Sequence, residues 1–332
     1  ICNFAMITGK IFMLMEEEKM GFELQSFLTS VIPTGFDLNQ KMSMPSLIFV
    51  GLNLLITIAI PVVFFIYLRK HAKLDLKGIL VGGLVYIFMN QIMLNLVGIL
   101  ILMIPGVQAY MQANMFVSQS ISVILSVAME FLAILLGMMW MRRRQLTFND
   151  CVMFLLGYSC IIILTETIAQ SLAMLINCIM INTQGLTAIF AQIPDTDVDM
   201  AVQAYQSVLS AHPVEFLIDG INCLVLFLIR ICCCILIYTS LVRKSGKQNL
   251  WIALLILILY NVPIALYGVQ IVPSRVAVEI AFVVVTAVAM YYTYTVLKNE
   301  LADDWKDFLS GKNKQKKNNQ PKKMPKIVMP KD

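Results

Sequence analysis

Histidine and charged side chains are scarce in this 332-residue sequence, and both shortages limit the functions that the chain can have. Only 14% of the residues are Asp, Glu, Lys or Arg, whereas soluble domains carry about 25%. Hydrophobic residues make up 59%. This composition excludes a cytosolic enzyme, a nucleic-acid-binding protein and a disordered protein. It is typical of an integral membrane protein whose loops are too short for a second soluble domain.

The eight cysteines form no recognisable disulfide or metal-binding pattern. There is no Cys-x-x-Cys pair, and all but Cys2 lie in apolar runs, where a thiol behaves as a small hydrophobe. The adjacent Cys232-Cys233-Cys234 would point about 100° apart on a helix and cannot converge on one ion. The two histidines, His71 and His212, lie between apolar runs. We therefore expect no metal and no cofactor.

Seven apolar stretches are long enough to cross a bilayer, which requires about 20 helical residues. They are Leu47–Leu68, Ile79–Ile104, Ser120–Met141, Cys151–Ile181, Val214–Leu241, Leu250–Gln270 and Val276–Val296. The pattern predicts an all-α, polytopic membrane helix bundle of about seven transmembrane helices, here called spans 1 to 7.

Basic residues alternate between the connecting segments. Lys and Arg follow spans 1, 3, 5 and 7, whereas the connections after spans 2 and 4 contain neither, and the one after span 6 has only Arg275. Because cytoplasmic loops retain Lys and Arg, the alternation predicts an N-terminus outside and a C-terminus in the cytoplasm.

Three regions are expected from these patterns. Residues 1–46 form an exoplasmic segment, in which the first twenty or so are interpreted as upstream translation rather than a signal peptide. Residues 47–297 form the seven-helix membrane domain. Residues 298–332 begin with an interfacial helix whose apolar face is Leu301, Trp305, Phe308 and Leu309.

The chain ends in a tail with eight lysines between Lys312 and Lys331, which is too polar to build a core. Such a tail is expected to be disordered and to lie near anionic lipid of the bilayer. It has no folded basic surface beside it, so we expect no nucleic-acid partner.

A second segment outside the spans has helical periodicity. Residues 196–211 follow Pro194-Asp195 and predict an amphipathic helix over the outer surface. One face of this helix carries Val198, Val202, Tyr205, Val208 and Leu209. It is either a packed loop helix or a lid that gates a substrate.

Three ionisable residues lie at a similar depth within spans. Glu130 is in the middle of span 3, Glu166 in the middle of span 4, and Arg230 slightly past the middle of span 5. An unpaired charge there is costly, so we expect Arg230 to pair with Glu130, Glu166 or both. The cluster is either a clamp between helices or a proton-accepting or ligand-binding centre.

Uncharged polar residues are also expected to face the bundle interior and to form hydrogen bonds between helices. They are Asn90, Gln91, Asn95, Tyr158 and Asn261.

The order of these features resembles the YhfC family of bacterial membrane proteins, which are similar to CAAX-type intramembrane proteases. The resemblance covers roughly Leu47 to Val296. It is carried by the segment 78–86 (GILVGGLVY) with Gln91, by Glu130 before the basic turn 142–147 (RRRQLT), and by 156–158 (LGY). It implies a bacterial plasma membrane, and as a partner or substrate the transmembrane helix of another protein.

Active members resemble glutamic-type proteases, with two adjacent glutamates, a following arginine, a Gly-His-Gly-Gly stretch and histidines on later helices. In this chain Met129 takes the place of the first glutamate, and no arginine occurs between Phe131 and Leu135. The Gly-His-Gly-Gly stretch reads Gly157-Tyr158-Ser159-Cys160.

Three functions remain open. The chain is an inactive relative that acts as a membrane scaffold or partner-binding protein, a peptidase with Glu130 and Glu166 as catalytic carboxylates, or a small transporter with Arg230 on its pathway. Against a transporter, no repeat relates the two halves of the sequence.

Overall fold

The computed structural model describes residues 37–72, 74–142, 146–190, 193, 198–243, 247–272 and 274–310, in which all regular structure is helical. Seven helical stretches in this part of the chain are long and apolar enough to cross a membrane, which confirms the predicted bundle of transmembrane helices. The N-terminal segment up to residue 36 and the lysine-rich tail lie outside the described residues.

The helices follow one another closely along the chain. They are α1 Met44–His71, α2 Leu76–Tyr86, the π-helical π1 Ile87–Met93, α3 Leu94–Leu102, α4 Val107–Ala113, α5 Met115–Arg142, α6 Phe148–Ile162, the π-helical π2 Ile163–Ile168, α7 Ala169–Thr183, α8 Gly185–Phe190, α9 Val198–Ser210, α10 Pro213–Val242, α11 Lys247–Gly268, α12 Arg275–Asn299 and α13 Ala302–Leu309.

Span 2 combines α2, π1 and α3, and the 36-residue span 4 combines α6, π2 and α7. Spans 1, 3, 5, 6 and 7 are α1, α5, α10, α11 and α12. Each span begins before its predicted apolar stretch.

The chain divides into two compact units, Ile1–Pro61 with Ile162–Leu226, and Val62–Ile161 with Phe227–Asp332. Spans 1, 4 and 5 therefore contribute one part to each unit.

In the first unit, α8 and α9 form a small apolar layer beside the end of α7. Val198, Val202 and Tyr205 are buried in it, and the Tyr205 ring packs edge-on against Phe190 with centroids 5.5 Å apart. The predicted amphipathic helix is therefore present, although its expected start at Thr196 lies outside the described residues. Burial raises the pKa of the Tyr205 phenol to about 12.

In the second unit, α2 and α6 approach so closely that their backbones are almost in contact. A Cβ atom added to Gly82 would overlap the Phe154 carbonyl, and one added to Gly157 would overlap the Ile79 carbonyl. Glycine therefore allows this pair of helices to pack, as small residues do in membrane proteins generally. Spans 2 and 6 both pack against span 3, and span 7 packs against span 6.

The short helix α13 packs within the second unit. Phe308 is 2% exposed, and its ring lies 5.4 Å from that of Phe148. Leu309, expected on the same packed face, is instead 41% exposed. The helix ends at this residue, and its carbonyl forms a 3.1 Å hydrogen bond with His71 Nδ1.

Candidate functional site

A buried ion pair joins spans 3 and 5 in the second unit. Arg230 Nε donates a 2.7 Å hydrogen bond to Glu130 Oε1, and the two side chains are only 9% and 13% exposed. The long apolar helices α5 and α10 carry these residues at mid-span. The structure thus gives Arg230 one of the two glutamate partners expected from the sequence.

Glu166 belongs to π2 in the first unit, and its side chain is partly buried. Its contact with Glu130 or Arg230 stays a prediction.

Tyr158 is the central uncharged residue of the second unit's interior. It is fully buried, stacks on Phe154 at 5.8 Å, and accepts a 3.1 Å hydrogen bond from Asn90 Nδ2. The ring of Tyr86 packs edge-on against it at 5.7 Å.

The other predicted polar residues do not join this interior. Gln91 and Asn95 are exposed on span 2. Gln91 Nε2 donates to the Tyr86 hydroxyl at 2.8 Å, and Asn95 Nδ2 donates to the Gln91 carbonyl. Asn261 is half-buried and bonds to the Leu257 carbonyl of its own helix at 2.8 Å. In these places, the amides form hydrogen bonds within their own helix rather than between helices.

Tyr158, Cys233 and Cys234 lie close enough to the ion pair to interact with it electrostatically. The thiols of these cysteines are buried, and they either form weak hydrogen bonds to backbone carbonyls or only pack in the interior. Cys233 Sγ donates to the Ala253 carbonyl at 3.7 Å, and Cys151 Sγ donates to that of Cys234 at 3.6 Å. Throughout the part of the chain that the structure describes, no three His, Cys, Asp or Glu side chains are placed to hold a metal ion.

This arrangement favours a structural role for the charges. The ion pair fixes spans 3 and 5 against each other, and the guanidinium opposes any second cation near Glu130. At about 4 Å, two unit positive charges repel by about 4 kcal/mol at an effective dielectric constant of 20.

Sequence reasoning named Gly82, Gly157 and Gln91 but did not predict that they position Tyr158. Gly82 and Gly157 bring α2 and α6 together, and the Tyr86 hydroxyl accepts from Gln91. The spacing of Gly78 and Gly82, four residues apart in an apolar run, is a signal that could have indicated this close contact.

Comparison with known proteins agrees with these features. The profile of the YhfC intramembrane metalloprotease family matches residues 56–282, which is more than half of the chain. No curated protein and no solved structure matches it. Seven apolar spans, the glycine contact between spans 2 and 4 and a mid-span glutamate on span 3 all lie within or overlap the matched region, and the chain therefore belongs to the YhfC family.

Proposed function

We propose that this chain is a non-proteolytic member of the YhfC family that acts as a membrane scaffold and binds other membrane proteins without cleaving them. One observation carries the proposal: the Glu130 carboxylate is bound by Arg230 at 2.7 Å in a buried position. The carboxylate that the family resemblance would make catalytic is therefore engaged by a fixed cation.

The metal that the family description implies does not fit the described residues. A catalytic zinc site uses three protein ligands, with His as the commonest nitrogen donor. His71 ends α1 and bonds to the Leu309 carbonyl, while His212 is exposed just before α10. Neither histidine lies within the middle of a span, where Glu130 does. We derive no chemical step through a metal.

A peptidase that uses Glu130 and Glu166 would need both carboxylates to share one water molecule and one of them to accept its proton. Glu130 Oε1 instead accepts from a guanidinium, which has five donors and gives up no proton in proteins. The pairing supports a clamp between helices over a proton-accepting base.

The proposal includes a location and an orientation. We place the chain in a bacterial plasma membrane with its basic ends in the cytoplasm. Arg69 and Lys70 end span 1, Arg243 follows span 5, and Lys298 lies in the last turn of span 7. The orientation follows from the retention of Lys and Arg in cytoplasmic loops.

The test is reconstitution of the purified full chain in liposomes with a panel of single-span membrane proteins, with added zinc and with a chelator. We expect no cleavage products in either condition and less than stoichiometric zinc after purification. Cleavage by the wild-type chain that Glu130→Gln abolishes would overturn the proposal. Glu279→Gln is the matched control, since Glu279 lies at the start of α12 in a separate ion pair with Arg275.

A flux assay in the same liposomes addresses the transporter function. Movement of a solute that requires Arg230 would contradict a scaffold, because a scaffold needs no continuous path through the bilayer.

A further inference from the structure

Two amide side chains are exposed at the middle of span 2. Gln91 and Asn95 both have exposed side chains, although they lie inside a 27-residue apolar helix. At 1.5 Å per residue, Gln91 is about 22 Å from the start of the span and about 16 Å from its end. This position is deep in the hydrocarbon, where an exposed amide without partners is strongly disfavoured.

The amides are only partly satisfied within the chain. Each uses one N–H, Gln91 toward the Tyr86 hydroxyl and Asn95 toward the Gln91 backbone carbonyl. A primary amide has a second N–H and an oxygen with two lone pairs. Among the described residues, no hydrogen bond reaches either side-chain oxygen. Donors and acceptors thus remain available on the outside of the helix.

These amides lie within a line along span 2 that is exposed except at the half-buried Gly98, and we call this line the amide stripe. Its members are three or four residues apart, with apolar residues at both ends, and are Leu84, Ile87, Gln91, Asn95, Gly98 and Leu102. A Cβ atom added to Gly98 would meet no atom within 4 Å. The stripe therefore offers a glycine for close approach of a backbone beside two amides that can bond to a partner, a combination that favours helix association in membranes.

The apolar residues on this side of span 2 are not packed within the described part of the chain. The buried glycines Gly78, Gly82 and Gly83 form the side that faces α6, whereas Leu84 and Ile87 are 56% and 41% exposed. One side of the span is used for packing within the chain, and the amide stripe is left on the outside.

We propose that the amide stripe is a dimer interface, in which span 2 packs against span 2 of a second copy of this chain. Copies inserted in the same orientation can be related only by a two-fold axis normal to the membrane. Such an axis places Gln91 opposite Gln91 and Asn95 opposite Asn95, at the same depth. Identical amides form reciprocal hydrogen bonds, since each both donates and accepts, so the surface is complementary to itself.

Another protein's helix would need its own polar side chains at this depth, whereas a second copy supplies them. The inference goes beyond the proposed scaffold function and does not depend on it.

The experiment measures the monomer–dimer equilibrium of the full chain in liposomes, by energy transfer between two differently labelled populations diluted with lipid. The wild type is expected to dimerise, and Gln91→Leu/Asn95→Leu is expected to weaken dimerisation at least tenfold. The matched control is Asn261→Leu, which removes an amide that also bonds to its own helix, in span 6. This control should leave the equilibrium unchanged.

A second pair of variants keeps the test independent of the hydrogen bond to Tyr86. Gly98→Leu adds a side chain on the stripe, while Gly51→Leu adds one on span 1, and at both positions the new Cβ atom would meet no atom within 4 Å. Only Gly98→Leu should abolish dimerisation, and thermal unfolding should show that both variants fold.

Three results would overturn the proposal: a wild-type chain that stays monomeric, a dimer that resists both stripe variants, or equal loss of the dimer in the control variants. A monomeric wild type that binds another membrane protein only when the stripe is intact would assign this surface to a different partner.

Discussion

Arg230 Nε and Glu130 Oε1 lie 2.7 Å apart, and both side chains are largely buried. Opposite charges in the bilayer interior compensate each other's loss of hydration, so removal of one is more harmful than removal of both.

Arg230→Leu should lower the free energy of unfolding by about 3–5 kcal/mol, because it leaves Glu130 as an uncompensated buried charge. Glu130→Leu/Arg230→Leu should recover a large part of this loss. Denaturant unfolding in detergent micelles measures both. Arg243→Leu is the control, since its pair with Asp304 at 3.5 Å is 45% and 40% exposed, and such surface pairs contribute about 0–1 kcal/mol. A double variant as unstable as Arg230→Leu would contradict the clamp.

Gly157→Ala should destabilise the fold by about 3 kcal/mol or more, since overpacking here forces two backbones apart rather than one side chain. The new Cβ would overlap the Ile79 carbonyl, which cannot rotate away. Gly51→Ala provides the comparison, because its Cβ meets no atom within 4 Å. Equal thermal stability of the two variants would show that α2 and α6 do not pack through Gly157.

Tyr158→Phe should cost about 1–3 kcal/mol, because it removes the hydroxyl that accepts from Asn90 Nδ2 and leaves a polar group unsatisfied. Tyr158→Phe combined with Asn90→Leu should be less harmful than the sum of the single changes. A thermodynamic cycle over these variants gives the coupling, and additive effects would rule out an energetically important bond.

Phe308→Ala should release α13 from the second unit, since truncation of a buried phenylalanine costs about 3–5 kcal/mol. The ring is 2% exposed and packs on Phe148. Limited proteolysis of the C-terminal region should become faster in this variant. Leu309→Ala, at a side chain that is 41% exposed, should be cleaved like the wild type.

The layer formed by α8 and α9 should open at high pH. Burial raises the pKa of Tyr205 from 10.0 to about 12, so between these values the unfolded state releases the proton while the folded state keeps it. The free energy of local unfolding is therefore at its maximum below about pH 10 and falls by roughly 2–3 kcal/mol toward pH 12. Proteolysis within residues 198–210 at pH 9 and 11 measures the change. Tyr205→Phe should remove most of this pH dependence, and an unchanged dependence would assign it to other groups.

Hydropathy was sufficient to predict the seven spans, because the bilayer imposes the same length and apolar character on every helix that crosses it. The cost of an isolated charge likewise predicted a partner for Arg230. The choice of Glu130 depends on which helices are neighbours, and hydropathy carries no information about that. Gln91 and Asn95 were expected inside because polar residues usually are, but both side chains are exposed, within and just after a π-helical stretch that hydropathy does not show.

That wide turn determines how the two halves of span 2 are rotated relative to each other. A π-helical stretch accommodates one extra residue within an α-helix, and each residue of an α-helix advances by about 100° around the axis. Deletion of a single residue between Ile87 and Met93 would let this stretch return to the α-helical form with α2 and α3 facing nearly the same directions as before, because the wide turn absorbs that residue. Deletion of a second residue would turn Asn95 and Gly98 by about 100° toward a different neighbour, so the wide turn makes the face that span 2 presents tolerant of one change in length.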